Sequence, residues 1–243
     1  MSNSFLSDAL FIGAHPDDGE LLAGGLIANM TRRGQRVVLI DATRGEMGTR
    51  GTVEERAGEA ADAAAILGVQ RENLALPDGG IGHDREASLR AIVSAIRRHR
   101  PRLLFTHSDV DHHPDHNALS QIVRQAFFTA NLLKYDASHE RHATRRLFYF
   151  WSHRTQLPDQ LAFIADVTDS WEQKIASIKA HRTQFAGGLP DGPATYLTSD
   201  IFWHRLEARF AYFGSLIGTR YGEPYQAEGI LRIDDPVSLP DVT

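Results

Sequence analysis

Short apolar runs alternate with segments of helical periodicity along most of this chain. The apolar runs predict five buried strands, at residues 9–14, 35–40, 101–106, 147–151 and 161–165. The amphipathic segments predict six helices, at residues 20–33, 53–67, 85–99, 117–130, 170–181 and 200–218. Strands alternating with helices predict right-handed βαβ units, and therefore an α/β fold with a mostly parallel sheet.

The domain organisation follows from length and from the absence of repeats. A chain of 243 residues lies within the range of one α/β domain. The Gly- and Pro-rich segments 76–84, 185–196 and 220–243 are typical of loops or a tail. We therefore predict a single domain over residues 1–243, with a C-terminal extension from about residue 220.

Composition narrows the possible partners and the possible chemistry. The formal charge is −5, from 26 Lys and Arg against 31 Asp and Glu, which argues against nucleic acid as a partner. The chain has no cysteine, so disulfides, thiolate metal sites and cysteine nucleophiles are excluded. A metal site in this chain must therefore use His and carboxylate ligands.

Hydropathy and the first residues bear on location. No run reaches the roughly 18 consecutive apolar residues that predict a membrane-spanning helix, so we expect no membrane partner. Residues 1–8 lack the basic region and apolar core of a secretory signal. The sequence therefore predicts a cytoplasmic protein.

Acidic residues follow the first predicted strand. Residues 15–20 contain one histidine and three carboxylates, and ligands of open α/β sheets bind at this end of the strands. Pro16 and Gly19 favour a tight loop that directs Asp17 and Asp18 differently, so that one coordinates a metal and the other does not. The competing interpretation is an acidic loop that caps a helix. The glycines do not have the spacing of a dinucleotide-binding loop.

Four histidines lie within ten residues after the strand at 101–106, at the same predicted edge. His15, Asp18 and His116 would supply two imidazoles and a carboxylate, which suits Zn²⁺ or Fe²⁺. His113 and His116 are three residues apart, and only one of them need be a ligand. The other could stabilise an oxyanion or protonate an amine, with Asp115 holding its tautomer. For His107 and His112 the sequence favours neither a functional nor a bystander role.

These motifs resemble those of a known family. Ala14-His15-Pro16-Asp17-Asp18-x-Glu20 together with His113-Pro114-Asp115-His116 is similar to the paired signatures of the LmbE-like, or PIG-L, zinc-dependent N-deacetylases. Further similarity extends through Thr43-Arg-Gly-Glu46, Gly51-Thr-x-x-x-Arg56, Leu76-Pro-Asp78, Lys179-Ala-x-Arg-x-Gln184-Phe and Tyr221-Gly-Glu-x-Tyr225. This wider pattern most resembles the bacterial branch that deacetylates N-acetylglucosaminyl-malate in bacillithiol biosynthesis.

The resemblance implies a Rossmann-like, three-layer α/β/α fold, a bound Zn²⁺ with Fe²⁺ as the alternative, and a homo-oligomer, often a hexamer. The family's site residues fall on seven positions: the metal ligands His15, Asp18 and His116, the general base Asp17, the acid or electrophilic His113 with Asp115 behind it, and the active-site arginine Arg56. We interpret Arg56 as a substrate-binding residue, for a carboxylate or at the oxyanion; the alternative is a surface helix residue. Asn117 and the His-rich segment 109–112 depart from the family pattern, which predicts altered substrate contacts.

Three other functions are compatible with the same ligands. They are deacetylation of a different N-acetylated sugar or small amide, oxygen chemistry at a non-haem iron, and a metal-stabilised binding protein. An oxygenase has no need of the additional carboxylate at Asp17, whereas a hydrolase needs a base for the attacking water. The sequence therefore favours a hydrolase.

Overall fold

The computed structural model describes residues 5–152, 161–186 and 193–234. Predictions that fall on residues 1–4, on part of the 185–196 loop and on the chain after residue 234 lie outside this range. The strands form one seven-stranded sheet. They are β1 (Ser7–Gly13), β2 (Val37–Thr43), β3 (Gln70–Leu76), β4 (Pro101–His107), β5 (Arg146–Phe150), β6 (Phe163–Asp166) and β7 (Gly222–Ala227).

Helices cover both faces of this sheet. They are α1 (Asp18–Arg32), α2 (Val53–Leu67), α3 (Arg85–His99), α4 (Pro114–Thr129), α5 (Trp171–Ala180), α6 (Arg182–Phe185) and α7 (Asp200–Ser215). The predicted bounds of α2 and α3 are confirmed. Helix α4 begins at Pro114, three residues before the predicted start, because proline is well suited to the first helical position.

The strand order is β3-β2-β1-β4-β5-β7-β6. The first five strands in this order are parallel, and β7 pairs antiparallel with both β5 and β6. The predicted α/β fold with a mostly parallel sheet is therefore confirmed. Strand β1 lies inside the sheet between β2 and β4, where Phe11 pairs with Leu39 of β2 and with Phe105 of β4.

Two strands were not predicted. Strand β3 is a polar edge strand whose residues are mostly exposed or half-buried, so it has no apolar run. The prediction of a loop or tail from residue 220 is wrong for β7, which lies inside the sheet between β5 and β6. Strand β7 contains Gly222 and Pro224, residues that are uncommon in strand interiors.

Each face of the sheet has its own hydrophobic core. Phe11 of β1 packs with residues of α1, α5 and α7 on one face, whereas its neighbour Ile12 packs with residues of α3 and α4 on the other. This alternation is the two-residue period of a strand buried on both faces. The described residues contain no helix that is both long and apolar enough to span a membrane.

A buried ion pair joins β7 and α5 to α1. Lys174 Nζ lies 2.6 Å from Glu223 Oε1, and both side chains are fully buried. Lys174 Nζ also donates to the Leu21 carbonyl, 2.8 Å away, while the backbone amides of Gly25 and Leu26 donate to the Glu223 carboxylate. The pair therefore bonds to main-chain groups in the middle of α1. A side chain at Gly25 would collide with Val167 and Glu223, so only glycine fits there.

Candidate active site

The two predicted loops meet at the carboxyl ends of β1 and β4, which are neighbours in the sheet. The first loop leads into α1 at Asp18, and the second leads into α4 at Pro114. Residues from both loops line a cavity of about 460 Å³. The structure brings all of the predicted site residues to this region, with Asp115 just behind the cavity wall.

The three predicted metal ligands are close together. Asp18 Oδ2 lies 3.5 Å from His15 Nδ1, and Asp18 Oδ1 lies 3.4 Å from His116 Nε2. The rings of His15 and His116 are 5.4 Å apart between centroids. His116 Nε2 is buried and has no hydrogen-bond partner among the described residues. A buried ring nitrogen that faces a carboxylate and has no hydrogen-bond partner fits a metal ligand.

The electrostatics of the site also favour a cation. Burial opposes charge on His15 and His116, but the facing carboxylates outweigh it and raise both pKa values, to about 9 for His116. Burial likewise opposes charge on Asp18, yet His116 and His107 hold the pKa of Asp18 well below its usual range. Imidazole and carboxylate donors of this kind suit Zn²⁺ or Fe²⁺.

Asp17 is adjacent to Asp18 but has different partners. Its backbone has a φ of 131°, a value that L-residues rarely adopt. Its carboxylate lies 3.4 Å from Arg56 Nη2. Burial raises the pKa of Asp17 to about 6, although the charge of Arg56 opposes the shift. Two adjacent aspartates therefore have separate surroundings, as the loop sequence predicted.

Arg56 is buried behind Asp17. Its guanidinium donates to the carbonyls of Gly45 and Pro16, each at 2.8 Å, besides approaching Asp17. The alternative of a surface helix residue is wrong, since only 4% of Arg56 is exposed. Arg56 also lines the cavity, so contact with substrate stays a prediction.

His113 lies beside the predicted ligands, with its ring 4.7 Å from that of His15 and from that of His116. The Asp115 backbone amide donates to His113 Nδ1 at 3.3 Å, so the proton of a neutral His113 is on Nε2. Burial and the neighbouring charges of His15 and His116 lower the pKa of His113. A neutral donor at Nε2 is suited to stabilising a developing oxyanion.

The Asp115 carboxylate does not lie against His113, where the sequence predicted it. It accepts a hydrogen bond from the Gly79 amide at 2.7 Å and lies 3.5 Å from His15 Nε2. The hydrogen bond that fixes the His113 tautomer comes from the Asp115 backbone, not from the carboxylate. The carboxylate is engaged by the Gly79 amide and by His15 instead, which leaves the tautomer of His113 to the backbone amide.

Two further carboxylates lie behind the imidazoles. Asp78 Oδ1 is 3.1 Å from His15 Nε2, and Asp111 Oδ2 is 2.8 Å from His116 Nδ1. Sequence reasoning did not assign roles to them. Asp78 lies in the Leu76-Pro-Asp78 motif, and Asp111 lies in the His-rich segment. These two sequence features could have identified the residues as part of the site.

The structure distinguishes His107 from His112. His107 is fully buried; its Nε2 lies 3.1 Å from Asp18 Oδ2, and its ring stacks on that of His116 at 3.9 Å. Burial lowers the pKa of His107 to about 4, so it is neutral. His112 is partly exposed at the cavity rim, and its Nδ1 lies 2.8 Å from Asp111.

A buried charge cluster surrounds Glu20, three residues after Asp17. Arg71 contacts both Glu20 and Asp41, and His181 Nε2 lies 3.2 Å from Glu20. Burial opposes the charge of Glu20, but Arg71 and His181 outweigh it and lower the pKa of Glu20 to about 2. These four side chains connect α1, β2, β3 and the residue after α5.

Comparison with known proteins adds independent findings. A family profile described as "PIG-L: GlcNAc-PI de-N-acetylase" matches residues 10–127, which include both ligand loops. The chain is 27% identical to diacetylchitobiose deacetylase of Thermococcus kodakarensis over 230 residues, covering 88% of this chain and 80% of that protein. It is 26% identical to a Rhodococcus jostii 1D-myo-inositol 2-acetamido-2-deoxy-alpha-D-glucopyranoside deacetylase over 227 residues, covering 79% and 74%.

Solved structures resemble the whole fold. The conserved protein TT1542 from Thermus thermophilus superposes with a TM-score of 0.82 at 34% identity. The match covers 93% of this chain and 97% of that one. The similarity therefore extends beyond the segment of the family profile, through the C-terminal part of the sheet.

Proposed function

The chain belongs to the PIG-L (LmbE-like) family, and on that premise we propose that it is a metal-dependent N-deacetylase of N-acetylglucosaminyl conjugates. The observation that carries the proposal is the separation of two adjacent aspartates. Asp18 faces imidazoles, as a ligand would, whereas Asp17 faces Arg56 and has a pKa raised by burial to about 6. A carboxylate with this pKa is suited to accept a proton near neutral pH.

In this proposal His15, Asp18 and His116 hold the metal. A bound Zn²⁺ or Fe²⁺ would supply Lewis acidity to the acetamide carbonyl and to the attacking water. Asp17 removes one proton from that water as its oxygen forms a bond to the carbonyl carbon. His113 donates Nε2–H to the carbonyl oxygen as negative charge develops there.

The second half of the reaction returns the proton. The C–N bond breaks, and Asp17 transfers to the leaving nitrogen the proton that it took from water. The carboxylic acid that forms then loses its remaining proton, so that near neutral pH the products are acetate and the protonated amine. Neutral His113 keeps its proton in both halves and acts as an electrophile.

The cavity lining bears on the substrate. Of the described residues that line it, Arg56 is the only arginine or lysine, and its guanidinium already contacts Gly45, Pro16 and Asp17. A neutral aglycone therefore suits these residues better than a dicarboxylate. The sequence motifs instead resemble those of the branch that acts on the malate conjugate of the bacillithiol pathway, so that conjugate is tested beside neutral ones.

The test is amine release by metal-loaded protein. Substrates are N-acetylglucosaminyl-malate, the N-acetylglucosaminyl-inositol named for the Rhodococcus relative and diacetylchitobiose, each with and without chelator. We expect chelator-sensitive release of one amine per acetate from at least one conjugate. Turnover that resists complete metal removal, or no turnover of any conjugate, would contradict the proposal.

A further inference from the structure

The two ring nitrogens of His116 have different surroundings. Nδ1 lies 2.8 Å from Asp111 Oδ2. Nε2 is buried, has no hydrogen-bond partner among the described residues, and lies 3.4 Å from Asp18 Oδ1. An ionised carboxylate only accepts hydrogen bonds, so the contact with Asp111 places the ring proton on Nδ1. With Nδ1 committed to Asp111, Nε2 beside Asp18 is the ring nitrogen available to bind a metal.

Asp111 is itself held in place. Its other oxygen accepts the His113 backbone amide at 3.0 Å, and only 2% of its side chain is exposed. Its backbone amide donates to Asn117 Oδ1, and its carbonyl accepts from Asn117 Nδ2, both at 2.8 Å. The carboxylate is therefore fixed relative to α4 before any ligand binds.

From this geometry we propose that Asp111 is a positioning residue that sets the tautomer and ring orientation of His116 for metal binding. The inference rests on the proposed metal site, and it concerns metal affinity, not turnover. Carboxylates that accept a hydrogen bond from a ligating imidazole fix the ring and increase its basicity, and their loss typically weakens metal binding about 10- to 100-fold.

Asp111 also holds its own loop, and this second role needs a matched control. Asn117→Ala removes the two bonds to the Asp111 main chain but leaves the carboxylate on His116. Asp109→Asn removes one negative charge from an exposed position of the same loop. Asp111→Asn and Asp111→Ala remove the carboxylate from His116, the first with nearly the same side-chain volume.

The experiment measures the Zn²⁺ dissociation constant of each purified variant by competition with a chromophoric chelator, and the visible spectrum after loading with Co²⁺. For Asp111→Asn and Asp111→Ala we expect Zn²⁺ binding about 10- to 100-fold weaker and shifted Co²⁺ bands. For Asp109→Asn and Asn117→Ala we expect nearly wild-type affinity and spectra. Far-UV circular dichroism of the metal-free proteins checks that all four fold.

Several results would overturn the inference. Wild-type Zn²⁺ affinity and an unchanged Co²⁺ spectrum in both Asp111 variants would show that the carboxylate does not orient a ligand. Equal losses in Asn117→Ala and Asp111→Asn would assign the effect to loop order alone. No substrate is present, so weakened metal binding in a protein that deacetylates no conjugate would support the positioning role while contradicting the proposed function.

Discussion

At the residue scale, the main feature is the contrast between Asp17 and Asp18. Burial raises the pKa of Asp17 to about 6, while imidazoles hold that of Asp18 well below its usual range. One loop thus supplies a ligand that stays ionised and a carboxylate that can exchange a proton. The strained backbone at Asp17, with a φ of 131°, is what separates the two side chains.

Replacing Asp17 by Asn tests the base. We expect kcat to fall about 10²- to 10⁴-fold, because an amide cannot accept the proton of the attacking water. Bound metal, measured by atomic absorption, should remain stoichiometric because Asp17 is not among the proposed ligands. Asp18→Asn is the contrasting variant and should lose metal as well as activity. Unchanged turnover in Asp17→Asn would contradict the base assignment.

Arg56 should affect the pH at which kcat/KM declines on the acidic side, because it changes the pKa of Asp17. Its positive charge lowers the pKa of Asp17, so its removal must raise that pKa. The base is active when ionised; activity therefore declines as pH falls through its pKa, and this decline should begin at higher pH in Arg56→Met. The measurement is kcat/KM against pH, with Arg44→Met as an exposed control that loses the same charge. Superimposable limbs in all three proteins would disprove the coupling.

At the element scale, the sequence predicted the elements that have local signals at their ends. It did not predict those that depend on contacts between residues far apart in the chain. The bounds of α2 follow from local chemistry: Thr52 caps its start, with Glu55 completing the capping box, and Gly68 ends it in a left-handed conformation. Strand β7 has no such signal. Its pairing with Phe150 and Phe163 joins residues far apart in sequence.

The candidate site, too, could be predicted only in part from the sequence. Both ligand loops follow parallel strands, so their meeting at one sheet edge was predictable. The partners of individual ring nitrogens depend on side-chain rotation, which residue spacing does not specify. For that reason Asp111 received no role, and the carboxylate of Asp115 was expected at His113 but lies against His15.

The buried Lys174–Glu223 ion pair should contribute measurably to the free energy of unfolding, because it joins β7 and α5 to α1. Lys174→Met or Glu223→Gln leaves a buried charge without its partner, which should reduce the free energy of unfolding by about 3–5 kcal/mol. The double variant should lose less than the sum of the two, because neither charge is then stranded. Urea unfolding measures the free energy of unfolding of the two single variants and of the double variant. Arg182→Met removes an exposed pair with Asp62 and should cost at most about 1 kcal/mol; strict additivity in the buried pair would argue against direct coupling.

At the scale of the whole molecule, acid stability should depend on the Glu20 cluster. The pKa of Glu20 is about 2 in the folded protein against a usual value of 4.5. A lowered carboxylate pKa stabilises the fold above the unfolded value, and this contribution of about 3 kcal/mol is lost as pH falls from 4.5 towards 2.

The measurement is urea unfolding of metal-free protein at several pH values across that window. Glu20→Gln should be less stable than wild type at neutral pH, and the difference should shrink as pH falls towards 2. Glu86→Gln changes an exposed carboxylate and should follow the wild-type curve. A Glu20→Gln deficit that is constant with pH would show that the residue acts through packing and not through its charge.

The place of β7 has a consequence for how the protein is made. Gly25 and the carboxylate that receives its amide are 198 positions apart. At about 5–20 residues per second, translation needs on the order of 10–40 seconds to cover that distance. Late in this interval the nascent chain has both ligand loops and β5, but the middle of α1 still lacks its partner and β5 has no neighbour on one side. The docking of β7 between β5 and β6, and of the Glu223 carboxylate on the middle of α1, therefore comes after all the other described strands have been made.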